Sequence, residues 1–180
     1  MFESELTQLF FDHWLSVRQS SAIPRSEDYL DQISPRIAPH IVMFDCAKDD
    51  VVVRFQGTKV VERWGVNYTD QSWLASKAEN ARPRILANMT TCVSQPCGIR
   101  AASHYVTIED KATRIESLTL PLAASPGRPK RLVMLSNVEG LNTERDGIKD
   151  HVDKNEVKWF DVGFGVPQHE LRVSAPSKPS

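Results

Sequence analysis

The chain has 180 residues, 41% of them hydrophobic and 25% charged, with 22 Lys and Arg against 23 Asp and Glu for a net charge of −1. That length suits one domain able to bury about 70% of its unfolded surface. The even charge, with no basic block of five or more, excludes a nucleic-acid surface, because phosphate recognition needs gathered cations. Glu3 and Glu5 stand where a secretory leader would carry lysine or arginine. No apolar run approaches the roughly 18 residues of a membrane span, so no membrane insertion is expected. The three cysteines, Cys46, Cys92 and Cys97, form no CxxC pair and indicate neither a disulfide framework nor a zinc site. A cytoplasmic location is expected.

In chain order, Ser4 to Val17 reads as an amphipathic helix. Leu6, Leu9, Phe10, His13, Trp14 and Val17 make one face, which Phe11 and Leu15 widen, and Ser4 is the N-cap. Pro24, Pro35 and Pro39 punctuate a loop from Ser20 to Pro39 with one short turn of helix at Glu27 to Ile33. Strands at Ile41 to Cys46 and Val51 to Gln56 flank the aspartate-bearing turn at 47–50, a hairpin. Lys59 to Trp64 is a short helix that Gly65 ends.

A longer helix runs from Ala81 to Val93. Ala81, Ile85, Leu86, Met89 and Val93 form its stripe, Pro83 lies in its first turn, and Asn80 is its cap. Three more strands follow at Ala101 to Ile108, Arg114 to Leu122 and Arg131 to Val138; in the middle one Leu118, Leu120 and Leu122 alternate with polar or small residues.

This order predicts an α+β fold: a five-stranded antiparallel sheet with helices on one face and an added N-terminal amphipathic helix. The expected organisation is a helix at 1–20, a domain at 21–140, an extension at 141–167 and a flexible tail at 168–180. The extension is charged and weakly periodic up to Asn155. Trp159 to Gly165 reads either as a last strand or as a docking segment.

Several short segments carry a resemblance. Leu9-Phe10 with Trp14, Ile23-Pro24-Arg25 with Asp28, Arg54, Gly57-Thr58, Gly65, Pro96, Leu120-Pro121-Leu122 and the closing Asp161-x-Gly163-x-Gly165 resemble the PAS-like domain proteins common in alphaproteobacteria. The likeness runs from about Leu6 to Pro167. It implies a PAS fold and a sensory or regulatory role, with no catalytic residues and no established ligand. One position departs from the pattern: Asp70, after Thr69, stands where the family usually has glycine. The turn from Tyr68 to Trp73 is therefore expected to differ in backbone.

Candidate chemistry is sparse. A haem-holding histidine is absent from the Ala81 to Val93 helix, and His13, His40, His104, His151 and His169 have no ligand spacing. The Asn-Cys-Arg-Phe-Leu-Gln run that resemblance to light-sensing PAS domains would require for flavin is missing, and so is a Gly-x-Ser-x-Gly elbow. No metal is expected, and the cofactor stays open. Arg54 interrupts an apolar strand before Gly57. It is either a structural fork paired with Glu62, Asp70 or Glu116, or a ligand for a carboxylate or phosphate. Trp64, Tyr68, Trp73, Met89, Tyr105, Leu118, Leu120 and Met134 are candidates to line a cavity between sheet and helices, or simply to fill the core.

The expected function is a stand-alone sensory module that binds a small ligand or a protein partner and signals in trans. Helices at this position in PAS-type proteins often pair, so a homodimer is expected through Phe10, Phe11, Trp14 and Leu15. Two other readings remain. One is a scaffold without ligand, docking a partner through Trp159 and Phe160. The other is a small cone-shaped α+β enzyme, for which His104 and Tyr105 would be the local candidates.

Overall fold

The computed structural model describes residues 2, 4–18, 23–107, 110, 112–124, 127–138 and 148–167. Four helices are present: α1 (Glu5–Arg18), α2 (Ser26–Asp31), α3 (Thr58–Trp64) and α4 (Arg82–Ser94). Six strands accompany them: β1 (Ile41–Cys46), β2 (Val51–Gln56), β3 (Cys97–Thr107), β4 (Ala112–Leu122), β5 (Lys130–Val138) and β6 (Ile148–Asp161). They form one antiparallel sheet in the order β2-β1-β5-β4-β3-β6.

The sequence periodicity decides which residues face which layer. Along β1, Ile41 and Met43 fall in one apolar cluster and Val42 and Phe44 in the other; along β5, Val133 and Leu135 oppose Leu132 and Met134 in the same way. Successive strand residues point to opposite faces, so this alternation demands a sheet covered on both sides. α1 and α2 cover the outer face through Phe10, Trp14, Val17 and Tyr29, each at most 4% exposed. α3, α4 and the 3-10 turn at Leu74–Ser76 cover the inner face through Val60, Leu74, Met89 and Cys92, with Ile85, Leu86 and Val93 partly buried beside them.

Local signals explain the boundaries. The Ser4 hydroxyl accepts from the N–H groups of Leu6 (3.2 Å) and Thr7 (3.5 Å), which caps α1. Between β2 and α3 the chain must turn hard against the segment before β1. The Gly57 N–H donates to Ile41 O at 2.8 Å, and any Cβ at Gly57 would collide with the Pro39 carbonyl. Gly65 closes α3 at φ 67°, its N–H bonded to Val61 O at 2.8 Å. In α4, Pro83 occupies the first turn, where its missing donor costs nothing, but Ala81 and not Asn80 is the residue before the helix and no side chain caps it.

The sheet has six strands where five were expected. The sixth runs antiparallel to β3 from Cys97↔Asp161 to Thr107↔Ile148. Trp159 and Val157 join the inner core, while Phe160, on the other face, joins the outer one. Its run of charges hid it, because an edge strand with solvated side chains has little apolar alternation. The proposed break at residue 141 thus falls before a strand of the same sheet. The segment 139–147 and the expected tail at 168–180 lie outside the described residues. No helix among the described residues is long and apolar enough to cross a membrane.

Candidate functional site

The inner face turns polar at one end. α3 directs Val60 and Arg63, at i and i+3, toward the sheet, and Arg63 is only 2% exposed. Its Nη1 donates to both the carbonyl (3.2 Å) and the hydroxyl (3.0 Å) of Ser136. Ser136 lies two residues beyond Met134 on β5 and so shares the inner face. The Arg63 Nε is buried with no hydrogen-bond partner. No carboxylate among the described residues pairs with this guanidinium. Burial draws its pKa down to about 10, against an opposing contribution from the Tyr105 phenol. Nearby, the His40 Nδ1 is also buried without a partner. Burial holds His40 below its ordinary pKa, as do the charges of Arg63 and Lys59, while Glu62 acts in the other direction.

Aromatic rings continue along the inner face, from Trp64 beside Arg63 on α3 to Phe44 on β1, which pairs with Leu132 four residues before Ser136. Trp64 meets Tyr105 edge to face at 5.4 Å, Tyr68 meets Trp73 edge to face at 6.0 Å, and Phe44 lies 5.5 Å from Trp73. Lys77 reaches into the same group. Its Nζ stands 3.5 Å from the Trp73 ring centroid and 5.3 Å from that of Trp64, with no hydrogen bond or ion pair among the described residues. Burial lowers its pKa to about 8. Two cations with no carboxylate partner among the described residues, together with the rings of Trp64, Tyr68, Trp73, Tyr105 and Phe44, are the chemical content of this face.

The cavity-lining candidates named from the sequence divide between the two faces. Trp64, Tyr68, Trp73, Met89, Tyr105 and Met134 all lie on the inner side, as a cavity-lining role requires. Leu118 and Leu120 do not. They alternate onto the outer face, fully buried beneath α1, because the half-buried period of β4 said which residues share a face but not which face. Arg54 is also excluded from the inner site. Its Nε donates to Asp45 and its Nη1 to Asp70, both at 2.7 Å, on the side where Arg131 bonds Asp45 at 2.7 Å. The hydrogen bonds it donates to the Asp45 and Asp70 carboxylates raise the Arg54 pKa. It forks between Asp45 of β1 and Asp70 of the following turn, and of the three foreseen partners Asp70 is the one it reaches. Arg63 and Lys77 were missed because a lone cation in a short helix or turn reads as solvated. The one available signal was that Arg63 stands at i+3 from Val60, on the stripe that enters the core.

The surfaces expected to bind partners are largely used within the chain. Phe10 and Trp14 have no exposed area, and the Trp14 Nε1 donates to Pro121 O at 2.9 Å. Phe11 packs between Phe2 (5.3 Å) and Phe160 (5.8 Å). Leu15 alone of the four is exposed, at 42%. Trp159 and Phe160 are strand residues built into the two cores, and the Phe160 ring fills the space a Cβ on Gly98 would take. Phe10 and Trp14 therefore have no area left for a partner, while Trp159 and Phe160 stay partly exposed but on opposite faces of the sheet.

His104 and Tyr105, the enzyme candidates, are consecutive on β3 and so point to opposite faces; they cannot share one cavity. His13 contacts Tyr29 O at 3.4 Å on the outer side, and the side chains of His151 and His169 lie outside the described residues. The three cysteines are free thiols, with Cys46 pushed up to about 12 by burial and the Asp45 charge. No cluster of three or more His, Cys, Asp or Glu able to hold a metal occurs among the described residues. Asp70 is left-handed, φ 63°, a conformation that glycine adopts without strain. The closing Asp161 accepts the N–H groups of Gly163, Phe164 and Gly165 at 2.6–2.8 Å, which lower its pKa and fold the segment after β6 into a tight turn. Two surface depressions lie elsewhere: a charged one around Arg100, Arg114 and Lys158, and a groove of about 370 Å³ along Ile23, Val93, Leu122 and Lys130.

No curated protein matches the sequence. Among solved structures, the crystal structure of the Rhodobacter sphaeroides LOV protein is similar at 13% identity, over 75% of this chain and 69% of that one, with a TM-score of 0.41. The RsLOV d2 variant is similar at 8% identity, over 75% and 69%, with a TM-score of 0.42. A family model described as PAS domain matches residues 2–135, from α1 into β5. With three-quarters of its length matched by that model, this chain belongs to the PAS-domain family.

Proposed function

We propose that this PAS domain is a sensory module that holds a small organic molecule between α3, α4 and the inner face of the sheet, and passes its state to a protein partner in trans. The observation that carries the reading is the composition of that face. A purely structural core places apolar side chains there and pairs any buried charge. This one instead collects Arg63 and Lys77 without carboxylates among Trp64, Tyr68, Trp73 and Tyr105. Aromatic walls with a few convergent polar groups are the usual make-up of a ligand site.

Fluorine NMR tests this. In protein carrying fluorotryptophan, Trp64 and Trp73 report on the inner face and Trp14 on the outer one. A small-molecule fraction containing the ligand shifts the Trp64 and Trp73 resonances and leaves that of Trp14 in place. Absence of any shift across all fractions, or a shift at Trp14 alone, would contradict the reading.

A further inference from the structure

Arg63 poses a specific electrostatic problem. A guanidinium keeps its proton under any physiological condition, even with its pKa drawn down by burial. Taking such an ion out of water without a counter-ion costs several kcal/mol, and proteins ordinarily offset this with a carboxylate. Here two of the donor contacts go to Ser136, a neutral group, and the buried Nε goes to nothing. His40, the nearest other titratable group with an unfilled buried nitrogen, is itself held toward its neutral form and adds no negative charge. Trp64, the next residue on α3, meets the Tyr105 ring edge to face at 5.4 Å, both partly buried, and the Tyr105 phenol interacts with the Arg63 charge. This face thus carries a fork-shaped donor on α3 together with the planar rings of Trp64 and Tyr105.

We propose that Arg63 is the recognition residue for a small organic carboxylate with a planar apolar body. Its anionic end is accepted by the Arg63 fork beside Ser136, and its body lies against Trp64 and Tyr105. This rests on the ligand reading above and assigns that ligand its chemical class. The Arg63 fork suits a carboxylate because two parallel N–H donors match its two oxygens. The aromatic rings suit a planar body because stacking and edge contacts add to burial. A quaternary ammonium is excluded from this end by the charge of Arg63 itself.

The probe is benzoate, with benzamide as the uncharged analogue of the same shape, at constant ionic strength. Thermal unfolding is read for the wild type and for Arg63→Met. The expected result is a rise in wild-type Tm of roughly 5 °C when benzoate exceeds its Kd a hundredfold. Benzamide gives none, and Arg63→Met loses the response. In benzoate-free buffer Arg63→Met unfolds at the same temperature as the wild type or higher, because it removes an uncompensated buried charge. Tryptophan fluorescence of the wild type, titrated with the two probes, keeps the question answerable if Arg63→Met does not fold: benzoate must bind at least tenfold more tightly than benzamide.

Equal responses to benzoate and benzamide, or no response to either, overturn the proposal. So does a loss of several degrees in Arg63→Met that benzoate does not influence, since a side chain of this chain would then be the counter-ion. A neutral molecule shifting the Trp64 and Trp73 resonances would sink this assignment while leaving the sensory reading intact.

Discussion

At the scale of single residues, three positions are constrained by their conformation or surroundings. Asp70 holds φ at 63° while its carboxylate pairs with Arg54 and its N–H donates to Val53 O at 2.8 Å. Aspartate tolerates this region better than alanine, and glycine tolerates it best. Asp70→Ala is therefore expected to unfold at lower denaturant than Asp70→Gly, the gap being about 1 kcal/mol in urea titrations. Equal midpoints would show that the exposed ion pair, and not the backbone, decides the position. Lys77 is the second case. Its folded pKa of about 8 lies below the ordinary 10.5, so the folded state releases its proton first. Below pH 8 both states are protonated and the folded state bears the full cost of the buried ammonium. Between pH 8 and 10.5 the cost is progressively relieved. The wild type should thus gain stability relative to Lys77→Met as pH rises through that window, and denaturation at pH 7.5 and 10 measures it. Third is Gly98, where the Phe160 ring takes the place of a side chain; Gly98→Val must expel that ring from the outer core.

At the scale of elements, the two-sided sheet follows from α1. Trp14 spends its whole surface on the outer core and its indole N–H on Pro121 O. Trp14→Ala is expected to cost about 3–5 kcal/mol, and equilibrium unfolding checks it. A loss under 1 kcal/mol would mean that α1 is not part of the folded unit. The first five strands, α3 and α4 were legible because their apolar residues recur at the period of each element and their ends carry Gly57, Gly65 or Pro83. Which face Leu118 and Leu120 occupy was not, since alternation is symmetric and only the partner layer breaks the tie. The same limit made α1 read as an association surface: a wide apolar face implies a partner but not whether that partner is another chain or this sheet. β6 lacked apolar alternation up to Asn155, and only its end at Trp159 read as a possible strand.

On the whole-molecule scale, the sheet separates two chemistries. The outer face is an apolar core closed by α1, with its charges paired in the Arg54–Asp45–Arg131 group. The inner face ends in cations without carboxylates and in partly buried rings. Charges read from sequence look alike in both places, and only the topology reveals which are paired. This asymmetry is the basis for the sensory reading, in which binding energy arises where the fold leaves electrostatics uncompensated.

Native mass spectrometry of the purified protein, compared with its denatured mass, tests that claim most directly. A small non-covalent mass excess that disappears on denaturation, and that Arg63→Met lacks, is the predicted result. Identical native and denatured masses in every preparation, together with undisturbed Trp64 and Trp73 resonances in small-molecule fractions, would contradict it.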